Sequence, residues 1–322
     1  LGDRPGQLDV LHQACDMHML TGLDVDPHAH DHVGVPRQPV GRGQSSSHPV
    51  NATPEQNSGQ DGRVSAGGPD HDLHEIAAHP RPDIRLVVTD MDGTLLDEDR
   101  RVSDELWPVV HHLRDIGVTF CPASGRHHVS LRRHFAPVAD ETTFIASNGA
   151  HVLDGSTELH SDCLDPEVTR DVLARLRHLT DTPSVLVGKS GAYVRRGDEE
   201  AFAWIRDYVP PLRLVDDIVD AVSMLVDAGD GALSVGVFDT TSTEAAVRAL
   251  APLTDQVNVM PTHRTWVDVV SPTADKGHAV AALQHDLGIG ADETVVFGDF
   301  LNDLGMLDRA TYAFAMANAH PD

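Results

Sequence analysis

Four short segments of this 322-residue chain hold the residue types that chemistry needs. In Thr89-Asp90-Met91-Asp92-Gly93-Thr94, two carboxylates stand at i and i+2, with a glycine directly after them. Where a strand runs into a loop, such a pair aims at one point beyond the sheet edge, and Gly93 leaves the backbone free to turn. The same composition also makes an ordinary solvated turn. In Pro122-Ala123-Ser124-Gly125-Arg126, a small hydroxyl and N–H groups at a helix start suit a phosphate oxygen, or else Ser124 is a plain N-cap. Thr273-Ala274-Asp275-Lys276-Gly277 opens a helical pattern with one of only two lysines, Lys189 and Lys276, among 22 arginines. An ammonium there opposes the helix dipole; it serves an anion, or it is a surface lysine. Gly298-Asp299-Phe300-Leu301-Asn302-Asp303 places oxygen-rich side chains after a strand. They suit a hard cation such as Mg²⁺, or act as an Asp N-cap and a helix-surface acid.

The elements that must position these groups follow from apolar spacing. A β-branched run over 84–89 predicts a buried strand, and further strands are expected at 118–121, 143–147 and 294–297. Leu106, Val110, Leu113 and Ile116 recur at helical spacing, with Pro108 tolerable only in the first turn and Gly117 as a cap. Val280, Leu283 and Leu287 mark a helix opened by Lys276. Every chemical segment thus closes a strand or opens the next helix. The alternation predicts an α/β class, with a doubly wound, Rossmann-like parallel sheet as core over residues 81–150 and 271–322.

Between these parts, 151–270 reads as an inserted α+β cap domain that closes over a site. Asp165-Pro166-Glu167 is a helix start with an N-cap and a proline at the first position. Strands are expected at 184–187, 192–195 and 232–238, and helices at 199–208 and 243–250. Residues 1–80 contain no Phe, Trp or Tyr and nine of the 21 histidines. They bury too little apolar area to offset chain entropy, so this segment is expected to be disordered. The first residue is Leu rather than Met, which fits a fragment or a start that is not genuine coding sequence.

In this order, the Asp-x-Asp-Gly-Thr, Ser-Gly-Arg, Lys-Gly and Gly-Asp-x-x-Asn-Asp elements resemble the haloacid dehalogenase superfamily of phosphohydrolases, over about residues 84–322. Only 34 positions separate Asp90 from Ser124, whereas 152 separate Ser124 from Lys276, which resembles the branch whose large α+β cap follows the second motif. Phe144-Ile145-Ala146-Ser147-Asn148-Gly149-Ala150 and Ala315-Met316-Ala317-Asn318-Ala319 are similar to Cof-type members.

The resemblance implies a Mg²⁺-dependent phosphatase that acts on a small phosphorylated metabolite through an aspartyl-phosphate intermediate. Asp90 would be the nucleophile and Asp92 the general acid and base. Mg²⁺ would be held by the Asp90 carboxylate, the Asp92 carbonyl and Asp299, with Asp303 in support. The Met91 N–H, Ser124, Gly125, Lys276 and Asn302 would grip the phosphoryl oxygens, and Arg126 matches a position near the substrate. The acid at Asp92 argues against the carbon–halogen and carbon–phosphorus chemistry of other superfamily branches. Family members continue some tens of residues past the Met-Ala-Asn-Ala element, so the resemblance also implies a missing last strand and helix after Asp322.

Composition narrows the partners. Twenty-four basic against 50 acidic residues give a formal charge of -26, which disfavours nucleic acid and anionic membrane. No apolar run approaches the roughly 20 residues of a transmembrane helix, and no secretory signal is visible. Three cysteines (Cys15, Cys121, Cys163) without a CxxC suit a reducing cytoplasm. The partner the resemblance implies is a small-molecule phosphorylated substrate, and no oligomeric state follows from the sequence. His28-Ala29-His30-Asp31-His32 invites a metal-site reading, but a polar histidine tract is the commoner origin of such a run. Two alternatives share the same motifs: a phosphomutase acting on sugar phosphates, and a non-catalytic homologue that binds a phosphorylated ligand.

Overall fold

The computed structural model describes residues 82–179, 182–202, 212–239, 242–263 and 265–321. The N-terminal segment with its histidine run lies outside them, as do residues 203–208 of the helix expected at 199–208; residues 199–202 form a turn.

Every residue of β1 (Leu86–Asp90) is buried. A strand covered on both faces needs apolar groups at odd and even positions alike. Here the two sets part. Val87 packs with Met91, Val110, Leu113, Phe120, Phe135 and Phe144, whereas Leu86 and Val88 pack with Cys121, Ile145, Val280, Leu283 and Val296. The first cluster is closed by α1 (Leu106–Asp115) and, beyond β2 (Thr119–Ala123), by α2 (His128–His134). Pro108 falls in the first turn of α1, where its missing N–H removes no helical bond. Next come β3 (Thr143–Ala146), β4 (His151–Asp154) and β5 (Thr157–Ser161).

The following elements build a second sheet. Helix α3 (Pro166–Leu176) starts as its sequence predicts: Asp165 Oδ1 accepts from the Glu167 and Val168 N–H groups at 2.8 and 3.1 Å, with proline inside the first turn. Then come β6 (Ser184–Gly188), β7 (Ala192–Arg195), β8 (Leu212–Val215), α4 (Asp220–Asp227), β9 (Ala232–Phe238), α5 (Glu244–Leu250), β10 (Asn258–His263) and β11 (Trp266–Val270). The strand order is β10-β11-β9-β6-β7-β8, antiparallel except between β7 and β8. Val172, Leu176, Leu225 and Leu250 of α3, α4 and α5 pack on Leu186, Val235, Val237 and Val267.

The chain then returns through α6 (Lys276–Leu287), β12 (Thr294–Gly298), α7 (Leu304–Leu307) and β13 (Tyr312–Ala315). The first sheet has the order β13-β12-β1-β2-β3-β4-β5, parallel from β13 to β3 and antiparallel beyond. Hydrogen-bond pairing thus carries this sheet through Ser161, past the boundary drawn at residue 150. Strand β1 lies between β2 and β12, so chain order reverses at its C-terminal end. That switch point is where open α/β sheets bind ligands.

Candidate active site

Three strand ends and one helix start meet at the switch point. Asp90 ends β1, and its buried carboxylate faces Lys276, the first residue of α6. The ammonium donates to Asp90 Oδ1 and, at 2.6 Å, to Asp303 Oδ1. Lys276 and Asp303 are 1% and 0% exposed, so neither charge has water as an alternative partner. The other oxygen of Asp303 accepts from the Asp299 and Phe300 N–H groups at 3.0 and 3.1 Å, which fixes the loop after β12. A side chain at Gly298 would run into Asp303, so the loop can take this path only with glycine there.

Asp299 completes the cluster. Its Oδ1 accepts from Thr94 Oγ1 at 3.0 Å across 205 residues of sequence. Gly93 adopts φ +92°, and a Cβ there would occupy the space of the Asp299 carboxylate. Oxygens of Asp90, Asp299 and Asp303 all lie within 4.8 Å of one another. Lys276 therefore sits at a helix start against the dipole because two buried carboxylates hold it there.

The remaining expected residues line the same edge with different partners. Ser124 is buried after β2, and its Oγ accepts from the Arg126 N–H at 3.2 Å. Gly125 is exposed beside it. The Met91 side chain belongs to the core, while its carbonyl accepts from the Leu95 and Leu96 N–H groups at 3.0 and 2.9 Å. Asn302 Nδ2 reaches Asn148 Oδ1 at 3.5 Å. A cleft of about 530 Å³ is lined by Asn148, Lys276, Asn302 and Leu301, with Met260 of β10 from the second sheet.

Asp92 stands apart from the carboxylate cluster. Its side chain is 44% exposed and accepts two hydrogen bonds from the buried Arg126 guanidinium, Nε to Oδ2 at 2.9 Å and Nη2 to Oδ1 at 2.5 Å. Thr94, Asn148 and the Arg126–Asp92 contact are site features that spacing did not single out. A faint signal existed for Asn148, since Ser147-Asn148-Gly149 favours positive φ and both Ser147 and Asn148 adopt it, at 51° and 53°.

Electrostatics follow from the packing. Burial pushes the Asp90 carboxyl up to about 6 against the pull of Lys276, and the neighbouring Asp303 and Asp299 charges push the same way. Asp299 is raised too, first by burial, with the Thr94 hydrogen bond opposing. Burial works against the Lys276 ammonium, but Asp90 and Asp303 outweigh it and hold its value above normal. Three carboxylates, two of them buried and Asp299 half-buried, against one ammonium leave two negative charges on a set of carboxylate oxygens. A hard divalent cation matches both that charge and that donor set.

Known proteins resemble this chain. A family model described as haloacid dehalogenase-like hydrolase matches residues 87–322. The 5-amino-6-(5-phospho-D-ribitylamino)uracil phosphatase YbjI of Escherichia coli is 28% identical over 242 residues, covering 73% of this chain and 86% of that protein. The HMP-PP phosphatase of Cronobacter sakazakii is 29% identical over 245 residues, covering 74% and 85%. A solved haloacid dehalogenase-like hydrolase from B. subtilis shares the fold at a TM-score of 0.63 and 22% identity, over 74% of this chain and 90% of that one. Family match, strand order and the carboxylate–lysine cluster agree: the chain belongs to the haloacid dehalogenase-like hydrolases, in their Cof-type branch, and is a phosphoric monoester hydrolase.

Proposed function

We propose that the protein hydrolyses a small phosphorylated metabolite in two steps through an aspartyl-phosphate on Asp90. The observation that carries the reading is the convergence of Asp90, Lys276, Asp299 and Asp303 on one sheet edge from three distant stretches of chain. In the first step an Asp90 oxygen attacks phosphorus and the ester P–O bond breaks. Asp92 gives its proton to the departing oxygen. In the second step Asp92 takes a proton from water, whose oxygen attacks phosphorus, and Asp90 and orthophosphate separate. Splitting the reaction replaces one difficult displacement by two easier ones, and acid–base help of this kind is typically worth about 10²–10⁴ in rate.

The oxygen-only cluster fits Mg²⁺, held by Asp90, the Asp92 carbonyl and Asp299, with Asp303 in support. Bound there, the ion offsets carboxylate charge and polarises a phosphoryl oxygen. Lys276 neutralises part of the excess as a point charge, while Ser124, Gly125, Asn302 and the Met91 N–H bind the phosphoryl oxygens.

The substrate classes are a sugar phosphate, a nucleotide or a phosphorylated cofactor, and the named substrates of the two phosphatase relatives belong in the same panel. The test is phosphate release from that panel and from p-nitrophenyl phosphate with Mg²⁺. Release that EDTA and Asp90→Asn abolish is the expected result. Full activity in Asp90→Asn rules out the nucleophile, and an isomeric sugar phosphate in place of orthophosphate replaces hydrolysis by mutase chemistry.

A further inference from the structure

Arg126 is a buried cation whose guanidinium grips a half-exposed acid. Its side chain is 3% exposed, whereas that of Asp92 is 44% exposed. Nε and Nη2 meet the two oxygens of Asp92 side by side, the fork geometry that fixes a carboxylate in both position and plane. The guanidinium is itself anchored. Its Nη1 lies 3.1 Å from His134 Nε2 at the end of α2. An arginine only donates, so in this contact the ring nitrogen accepts.

The asymmetry of burial gives the contact its direction. Water can solvate Asp92 on its own, and a half-exposed aspartate left to water samples several rotamers. A well-anchored fork removes that freedom. It also engages both oxygens from one side, so a leaving group meets the carboxyl from the other.

We propose that Arg126 is a positioning residue: it holds the Asp92 carboxyl in the orientation from which a proton reaches the leaving oxygen, and it acts on the reaction through Asp92. The inference rests on the proposed acid role of Asp92, and the test separates failure of one from failure of the other. The probes are p-nitrophenyl, p-chlorophenyl and phenyl phosphate, which are similar in size and rise in leaving-group basicity. The readout is kcat/KM, which covers steps up to phosphoryl transfer and is blind to later hydrolysis of the aspartyl-phosphate.

Proton donation matters most for the most basic leaving group. Arg126→Gln is therefore expected to lower kcat/KM on phenyl phosphate by about 10²-fold, near the low end of acid–base contributions, and on p-nitrophenyl phosphate by less than about threefold. In an Asp92→Asn background, Arg126→Gln is expected to add nothing on any of the three, the signature of two residues acting as one unit. Arg126→Lys keeps the buried charge without the planar fork. It is expected to show the same leaning toward phenyl phosphate in milder form, and it carries the test should the glutamine variant fail to fold.

An equal loss on all three substrates, or a full further loss in the Asp92→Asn background, overturns the proposal and assigns Arg126 to binding the phosphoryl group or to the fold alone. An Asp92→Asn enzyme with no leaning toward phenyl phosphate refutes instead the acid role of Asp92.

Discussion

Replacing Lys276 by methionine tests the electrostatic design of the site most directly. The methionine fills the same space without charge, and it leaves Asp90 and Asp303 facing each other in a site where Asp303 is 0% exposed. Two unit charges about 4 Å apart interact by about 4 kcal/mol at an effective dielectric constant of about 20. Breaking a buried pair by removing one partner typically costs about 3–5 kcal/mol. For a unit of this size, each kcal/mol moves Tm by about 2–4 °C, so the expected loss is about 6–20 °C in EDTA. The loss also depends on pH. The folded-state value of Asp90 is raised from 3.8 to about 6, so its protonated form stabilises the fold at low pH, and that contribution fades as pH rises through about 6. Without Lys276 the carboxyl loses its main charge partner and rises further. The deficit of Lys276→Met relative to the natural protein is therefore smaller at pH 5 than at pH 8, read as paired thermal melts. An equal deficit at both pH values, or a loss under about 2 °C at pH 8, would refute the claim that Lys276 is the counter-charge of a buried carboxylate pair.

Three further outcomes follow from the same geometry. Thr94→Val deletes the 3.0 Å hydrogen bond to Asp299. Such bonds to charged groups are worth about 1.5–3 kcal/mol, so half-maximal phosphate release should need about 10–100-fold more Mg²⁺; an unchanged Mg²⁺ titration contradicts the role given to Thr94. Protons and Mg²⁺ compete for Asp90, so the half-activating Mg²⁺ concentration should climb by up to about tenfold per pH unit below pH 6, and a flat profile from pH 7 to 5 counts against Asp90 as a ligand. Burial pushes His127 down to about 3 and His128 to about 4; the charges of His128 and His151 add to the effect on His127, and those of His151 and Arg132 to the effect on His128. The unfolded chain then binds more protons below pH 6.5, so these rings withdraw stability as pH falls from 6.5 toward 4; urea midpoints of His127→Gln/His128→Gln should vary less between pH 7 and 5 than those of the natural protein, and identical pH slopes refute this.

Legibility in the sequence tracks how completely each strand is covered. β1, β2 and β12 lie in the middle of a parallel sheet with helices on both faces, so their sequences must be apolar at consecutive positions. Such runs place a strand's end to within two residues (the strand expected at 118–121 runs Thr119–Ala123), and the residues at or just past those ends, Asp90, Ser124 and Asp299, are located at once. Lys276 is found by the helix it opens, for the same reason. The harder contacts depend on side-chain rotamers across long separations. Thr94 reaches Asp299 over 205 positions and Arg126 reaches Asp92 over 34, and neither distance leaves a trace in periodicity.

The second sheet shows the opposite limit. Strand β10 is an edge strand that carries Pro261 at a shift in register, an arrangement an edge tolerates and a sequence pattern reads as no strand at all. Strand β5 is also an edge strand, almost wholly exposed, with the polar sequence Thr-Glu-Leu-His-Ser. The strands that end at Asp90, Ser124 and Asp299 are thus among the best buried and are written most clearly. Met260 of β10, the one described cap residue that lines the cleft, lies on an edge strand yet packs half-buried against Ala150, Leu233, Val270 and Ala274. Under the proposed function, substitutions there are expected to change what fits beside the phosphate, at a cost in packing against Ala150 and Ala274, which lead to Asn148 and Lys276.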